Sequence, residues 1–291
     1  MTPTERLAEL LTGPQTIIMG ILNVTPDSFS DGGAFLKTED AVHSADEMVR
    51  EGASIIDVGG ESSAPGAAPI TEKDEITRIV PAVHEIADKG IIVSVDTRKA
   101  AVAWAAIKSG AALINDITAF RGDREMAPTI ADSDCFVVLM YSKDAASPTT
   151  RQHVEYDDVI DHIKRFFEER ISAAEKSGVR RERIIVDPGM GAFVSGEPGP
   201  SLAILNRLSE FSSLGLPILI GPSRKGFIGQ VLDLPVDDRL EGSVACAVVA
   251  AYNGASVVRV HDVMATKRAV EVSDAIVKGW PPGTRSGGTG G

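Results

Sequence analysis

A single-domain α/β fold, the (β/α)8 TIM barrel, is what this sequence predicts, and three observations carry that prediction. Short runs rich in Val and Ile recur eight times along the chain, and each one stops abruptly at polar residues or glycine. Between them lie stretches whose apolar residues return at helical spacing. The full length of 291 residues is close to the ~250 residues plus extensions typical of such barrels, which carry their chemistry at the C-terminal ends of the strands.

The elements follow in order. The first run, 17–22, cannot continue as an apolar strand through Asn23-Val-Thr-Pro-Asp-Ser-Phe-Ser-Asp-Gly-Gly33, so its polar groups collect at a strand tip. Run 54–58 meets Gly59-Gly-Glu-Ser-Ser63, run 91–95 meets Asp96, run 111–114 meets Asn115-Asp116, and run 135–140 meets Tyr141. Run 183–186 leads into Asp187-Pro-Gly-Met-Gly191, run 217–220 into Gly221-Pro-Ser-Arg-Lys225, and run 256–260 into His261-Asp262. Helical spacing predicts helices over 40–50, 73–87, 99–108, 159–176, 201–211, 240–252 and 265–277. Residues 1–15 read as an N-terminal extension, 16–279 as the barrel, and 280–291 as a disordered tail too poor in apolar groups to fold.

Bulk properties narrow the function classes. With 43% hydrophobic residues the chain can bury a large core. No apolar run reaches the ~18 residues of a membrane span, and the N-terminus lacks the basic and apolar regions of a signal peptide, so a cytoplasmic location without membrane association is expected. A formal net charge of −12 argues against a nucleic-acid partner, which needs a basic face. It leaves room for an anionic small molecule held by a few cations. Cys135 and Cys246 have neither metal-ligand spacing nor scaffold density and read as buried small residues.

The residues at the strand ends resemble those of the dihydropteroate synthases of folate synthesis, a family of pterin-binding barrels. The resemblance is carried by Gly20-Ile-Leu-Asn-Val-Thr-Pro-Asp-Ser-Phe-Ser-Asp-Gly-Gly33, Asp57-Val-Gly-Gly-Glu-Ser-Ser63, Ser94-Val-Asp-Thr97, Ile114-Asn-Asp-Ile117, Asp187-Pro-Gly-Met-Gly191, Ser223-Arg-Lys225 and Arg259-Val-His-Asp-Val263. It spans roughly 17–277, and seven motifs in order are far more specific than any one. The reaction it implies joins 6-hydroxymethyl-7,8-dihydropterin diphosphate to p-aminobenzoate, giving 7,8-dihydropteroate and diphosphate. Mg²⁺ as cofactor and a homodimer are implied with it. The apolar surplus of Val244-Ala-Cys-Ala-Val-Val-Ala-Ala251 agrees with a helix that buries a second face against another subunit.

Three sub-sites follow from that reaction. Asp96, Asn115 and Asp187 supply acceptors for the guanidine-like edge of the pterin, with Ile117 and Met140 as apolar walls and Gly221 and Lys225 at the same seat. The competing reading makes the two aspartates helix N-caps and Met140 ordinary core. Asn23, Arg259 and His261 are assigned to diphosphate, Asn23 also giving its carbonyl to Mg²⁺, while capping or core packing is the alternative for His261. Phe29, Ser63, Pro65, Phe120, Phe193, Lys225 and Gly226 are assigned to p-aminobenzoate, its carboxylate seated on the helix start at 223–226. Segments 24–38 and 60–71 are expected to order only around ligands. No nucleophile triad, paired metal-ligand motif or phosphate loop is present, so Asp96, Asp187, Lys225 and Arg259 are expected to catalyse an SN1-like step electrostatically.

Departures from the family pattern generate further expectations. Ala64 stands where many members have arginine, Tyr141 where a histidine often follows the methionine, and Ile117-Thr-Ala-Phe-Arg-Gly122 where the family loop is small and Gly-rich. Arg121 is a candidate replacement for the missing cation, and Phe120 a candidate barrier to sulfonamides, which would suit a sulfonamide-insensitive, antibiotic-resistance variant. Two other readings are open: a methyltetrahydrofolate-corrinoid methyltransferase, which shares the pterin seat but has no use for an anion site, and a catalytically inactive pterin-binding homologue.

Overall fold

The computed structural model describes residues 1–24, 34–62, 65–145 and 148–279, with only the backbone given for 34–37. The chain opens with helix α1 (Pro3–Thr12), started by a reciprocal capping box between Thr2 and Glu5 with Pro3 in its first turn. Strands and helices then alternate as β1 (Ile17–Asn23), α2 (Ala34–Arg50), β2 (Ile55–Gly59), α3 (Glu72–Asp88), β3 (Ile92–Asp96), α4 (Ala100–Lys108), β4 (Leu113–Asp116) and α5 (Met126–Ala131). They continue as β5 (Phe136–Met140), α6 (Val159–Lys176), β6 (Ile184–Asp187), α7 (Pro198–Asn206), β7 (Leu219–Ile220), α8 (Gly226–Leu232), α9 (Leu240–Tyr252), β8 (Val257–Val260) and α10 (Val263–Lys278).

All neighbouring strands pair in parallel, in the order β6-β5-β4-β3-β2-β1-β8-β7. The ring closes between β6 and β7, where Val186 bridges Ile218 and the Val186 amide donates to the Pro217 carbonyl at 3.0 Å. Strand β7 is shorter than the run 217–220 suggests because Pro217 has no N–H to give a ladder. The helix expected over 201–211 begins earlier, at Pro198, and ends at Asn206, the chain then winding as 3-10 turns from Leu208 to Leu214 before Gly215 turns it in the left-handed region.

Alternation along the strands divides the apolar residues into two layers. Ile18, Ile56, Val58, Val93, Val95, Ile114, Val137, Leu139, Val186 and Val258 face outward and pack beneath the helices. Ile17, Met19, Ile55, Ile92, Leu113, Phe136, Val138, Ile185, Leu219 and Val257 fill the lower interior, and Leu7 of α1 joins them from below, fully buried. The stretch expected only as an extension is therefore an ordered helix that seals the base of the barrel. Arg6 fastens it by donating to the Gly90 carbonyl at 2.6 Å.

Higher in the barrel the same inward positions turn polar. Along β2 the inward series runs Ile55, Asp57, Gly59; along β3, Ile92, Ser94, Asp96; along β8 and just past it, Val257, Arg259, His261. Such a gradient places every chemically active side chain at the C-terminal rim. Among the described residues no helix is long and apolar enough to cross a membrane. Replacing Leu7 with Ala should cost about 2–5 kcal/mol of unfolding free energy, as large-to-small changes in packed cores do. Urea denaturation measures it; a change within ~0.5 kcal/mol, the range of surface substitutions, would mean that α1 does not seal the base.

Candidate active site

Arg259 projects inward from β8 and meets two carboxylates. Its Nε donates to Asp57 Oδ2 at 2.5 Å and one terminal nitrogen to Asp96 Oδ2 at 3.0 Å. Asp57 is fully buried. The same Oδ2 accepts from Asn115 Nδ2 at 3.1 Å, so strands β2, β3, β4 and β8 are tied together at one height. A guanidinium suits this place because its planar fork can serve several oxygens at once.

Asp187 ends β6 beside Met140 of β5, its register partner. Its Oδ1 accepts from the Gly189 amide at 2.8 Å, a local turn rather than a helix cap. Asp96 likewise caps no helix: the N-cap of α4 is Lys99, which makes no side-chain capping bond. Gly189 has φ +71°, and a Cβ there would stand 2.4 Å from the Tyr141 carbonyl oxygen, so only glycine lets the chain turn from β6 across β5.

Lys225 lies over the Phe193 ring, its Nζ 4.5 Å from the centroid. At Gly191, with φ +62°, an added Cβ would come within 3.3 Å of the Lys225 stem, so the glycine allows the segment after β6 to lie against that lysine. His261 Nδ1 and Ser223 Oγ are 3.0 Å apart, and the same Oγ accepts from the His261 amide at 3.2 Å. Either Ser223 Oγ or His261 Nδ1 is the donor in that contact, according to the ring tautomer, and in both cases the serine fixes the orientation of the imidazole.

Electrostatics set these groups apart from ordinary ones. Burial pushes the Asp96 carboxyl up to about 7, Arg259 pulling it back while Asp57 and Glu75 push further. Burial also raises Asp187 to about 6, against its bond from Gly189 and the pull of Lys225 and Arg259. Lys225 is lowered to about 8 by burial, with Asp187 and Asp96 resisting. His261 falls to about 4 through burial and the neighbouring Arg259 and Arg224, so it is neutral near pH 7. Two acids held near neutrality opposite a softened lysine mark a working site.

A cavity of about 600 Å³ opens over these groups. Asn23, Pro65, Asp96, Phe193, Gly221, Lys225, Gly226, Arg259 and His261, nine of the residues singled out in the sequence, line it. Asn115, Ile117, Met140 and Asp187 are not among its lining residues and are buried at the neighbouring strand ends, at 3, 8, 4 and 5% exposure. Phe29 and Ser63 lie outside the described residues, as do 25–33 and Ala64, so the expected ordering of the first loop is not described.

Three expectations are corrected. Phe120 packs against the outer apolar layer and does not line the cavity. The cause is Asp116, whose carboxylate accepts from the Thr118 amide at 2.8 Å and the Phe120 amide at 2.7 Å, curling the chain into positive φ at Ala119 and Phe120. Arg121 does not stand in for a missing cation either: it donates to the carbonyls of Thr118, Ser142 and Asp144 and lies over Phe166. The helix start at 223–226 also offers less than expected. The Arg224 amide is taken by Ser243 Oγ and the Lys225 amide by the Pro222 carbonyl, and α8 spans seven residues.

Other functional residues were not among the sequence candidates. Asp57 is one, and the Ser223 hydroxyl, as the partner of His261, is another. Glu61 is a third: it lines the cavity, pairs with Arg98 at 3.2 Å and Lys99 at 3.3 Å, and accepts from the Ile70 amide at 3.0 Å. Lys99 also donates to the Ile70 carbonyl at 2.9 Å and to buried Glu75 at 2.6 Å, so the loop carrying Pro65 is clasped at its base. Their signal was parity and context: Asp57 and Asp96 share inward parity on paired strands.

Comparison with known proteins agrees with this geometry. The model of the pterin binding enzyme family matches residues 19–261. The dihydropteroate synthase of Clostridium beijerinckii is 44% identical over 272 residues, covering 93% of this chain and 97% of its own. That of Escherichia coli K12 is 44% identical over 262 residues, 89% of this chain and 90% of its own. Among solved structures, a Clostridium difficile dihydropteroate synthase in the presence of pteroic acid superposes with a TM-score of 0.83 at 42% identity, covering 91% of this chain and 97% of that one. The Xanthomonas albilineans enzyme with 4-aminobenzoic acid gives 0.82 at 39% identity, covering 91% and 94%. This chain belongs to the pterin binding enzyme family.

Proposed function

We propose that the chain is a dihydropteroate synthase, condensing 6-hydroxymethyl-7,8-dihydropterin diphosphate with p-aminobenzoate. The observation that carries this reading is the joining of acids and cations on one rim: Asp96, expected at the ring, is bonded to Arg259, expected at the diphosphate. Asp96, Asn115 and Asp187 accept from the donor edge of the pterin, while Arg259, Lys225 and neutral His261 receive the leaving group. The bond between the methylene carbon and the ester oxygen breaks with its electron pair leaving on diphosphate. The p-aminobenzoate nitrogen then gives its lone pair to that carbon and loses a proton. Phe193, under Lys225, and Pro65 form the apolar walls that hold the second ring and exclude water. With no protein nucleophile assigned, the chain acts by orientation and by preorganised charge.

Mg²⁺ fits this donor set. Asn23 is exposed at the end of β1 and lines the cavity, and a single neutral oxygen suits an ion that keeps waters and takes diphosphate oxygens. Asn23 would hold it; when bound, the ion spreads the charge of the departing diphosphate. We assign residues 16–279 to the catalytic barrel and place the enzyme in the cytoplasm. A homodimer is proposed from the exposed apolar side chains of α9 and α10, among them Val249, Val272 and Ile276.

Diphosphate release in the presence of the pterin ester, Mg²⁺ and p-aminobenzoate tests the reading. Release dependent on p-aminobenzoate is expected; transfer of a methyl group to a corrinoid, or no turnover with bound pterin, would replace it with one of the alternatives. Lys225→Gln should lower kcat/KM about a hundredfold or more, the scale of losing one charge-stabilising donor.

The pH dependence has a definite sign. Below about pH 6 both acids are protonated in the free protein and cannot accept two ring donors, so ligand binding must expel protons. Above about pH 8 Lys225 loses its charge and its hold on diphosphate. Affinity for the pterin diphosphate should therefore peak between about pH 7 and 8 and fall on both sides. Calorimetry at pH 6 in two buffers of different ionisation enthalpy should report proton release; proton uptake would reverse the assignment of the acids.

A further inference from the structure

We propose that Asp57 is a positioning residue that fixes which end of the Asn115 carboxamide faces the substrate and, through the same oxygen, the setting of Arg259. The proposal deepens the reading of the cavity as a pterin diphosphate site and rests on it. Asp57 stands mid-strand on β2, its side chain fully buried and facing into the barrel. Its Oδ2 accepts from Asn115 Nδ2 at 3.1 Å and from Arg259 Nε at 2.5 Å. Asn115 Oδ1 is buried and has no partner among the described residues, and the same is true of Asp57 Oδ1.

A carboxamide has a donor end and an acceptor end of nearly the same shape, and nothing in its own chemistry prefers either orientation. Asp57 supplies the preference. An ionised carboxylate only accepts, so it holds the NH2 end of Asn115 and leaves the carbonyl end as the orphaned acceptor. A buried acceptor without a partner is costly, and a ring edge carrying N–H groups removes that cost. A ring edge presenting acceptors meets the wrong pole. Asp57 thus selects donor-edged heterocycles without touching them. Because Oδ2 also holds Arg259 Nε, the guanidinium is turned so that a terminal nitrogen reaches Asp96.

The test uses titration of the intact protein with 6-hydroxymethylpterin, followed by fluorescence, and separately with inorganic diphosphate. Asp57→Asn should weaken the pterin about tenfold or more, the scale of losing a hydrogen bond to a charged group. Combining Asp57→Asn with Asn115→Asp restores an acceptor-only group at 115 and a donor at 57, and should return pterin affinity to within about threefold of wild type. Wild-type affinity in Asp57→Asn, or a combined variant no better than the single one, would overturn the proposal. So would loss of diphosphate binding with pterin binding intact, the pattern of a residue that only balances the charge of Arg259. If Asp57→Asn does not fold, the combined variant decides alone: recovered binding supports the proposal, and failure to fold or bind overturns it. A wild-type protein that binds no pterin would instead strike the functional reading on which the proposal stands.

Discussion

The guanidinium of Arg259 sits inside a closed barrel, and the rest of the site is arranged around the need to satisfy it. Removing one partner of a buried ion pair leaves a charge without compensation, at a typical cost of about 3–5 kcal/mol. Asp57 and Asp96 supply that compensation from the two neighbouring inward positions of β2 and β3. Asp57 in turn orders Asn115, and Asp96 is held near neutrality by the same burial. The barrel can carry this group only because β1, β2, β3 and β8 are adjacent in the ring, which brings residue 259 beside residues far away in sequence. The apolar layer beneath, sealed by Leu7, makes the ion cluster the floor of a cavity rather than a hydrated channel.

The barrel was legible because each strand is a short apolar run with an abrupt polar stop, a pattern that parallel strands buried on both faces must show. Its limits are physical. Helix α5 has six residues with a proline among them, too short for helical periodicity to register. Helix α1 read as an extension, since Leu7 looks like any amphipathic residue until the barrel above it has a base to close. Asp57 was hidden inside its run because hydrophobicity alone treats one carboxylate there as an interruption. Inward parity was the available signal, and it required the strand pairing. Asp96, Asn115, Asp187, Lys225, Arg259 and His261 were legible as candidates because each lies within a residue of a strand's C-terminal end or in the loop that follows it.

Loop side chains were the opposite case. Phe120 and Arg121 follow a strand end and have the right chemistry for a substrate pocket, yet neither reaches it. Their direction is set by Asp116, which faces away from the interior and collects the Thr118 and Phe120 amides. A left-handed residue with a bulky side chain is uncommon enough that composition does not foretell it. Phe193 reaches the cavity because glycines at 189 and 191 supply the positive φ values its segment needs. Backbone handedness, more than residue type, decided which aromatic group faces the cavity.

The link from Asp96 to Arg259 bears on the order of events in the proposed reaction. In the empty site Asp96 serves the guanidinium, and its raised pKa shows how costly its charge is there. When a ring edge donates to Asp96, the ionised form gains a partner and that cost falls. A more fully ionised Asp96 strengthens the whole array of Asp57, Arg259 and Asp96, which borders the proposed diphosphate seat. Ring binding thereby prepares the cations for the leaving group, and diphosphate binding reciprocally favours the ionised acids that hold the ring, as linkage requires of any two sites sharing a charged group. In the proposed pose the acids also lie close to the carbon framework on which positive charge develops, so one arrangement would serve recognition before bond cleavage and stabilisation during it.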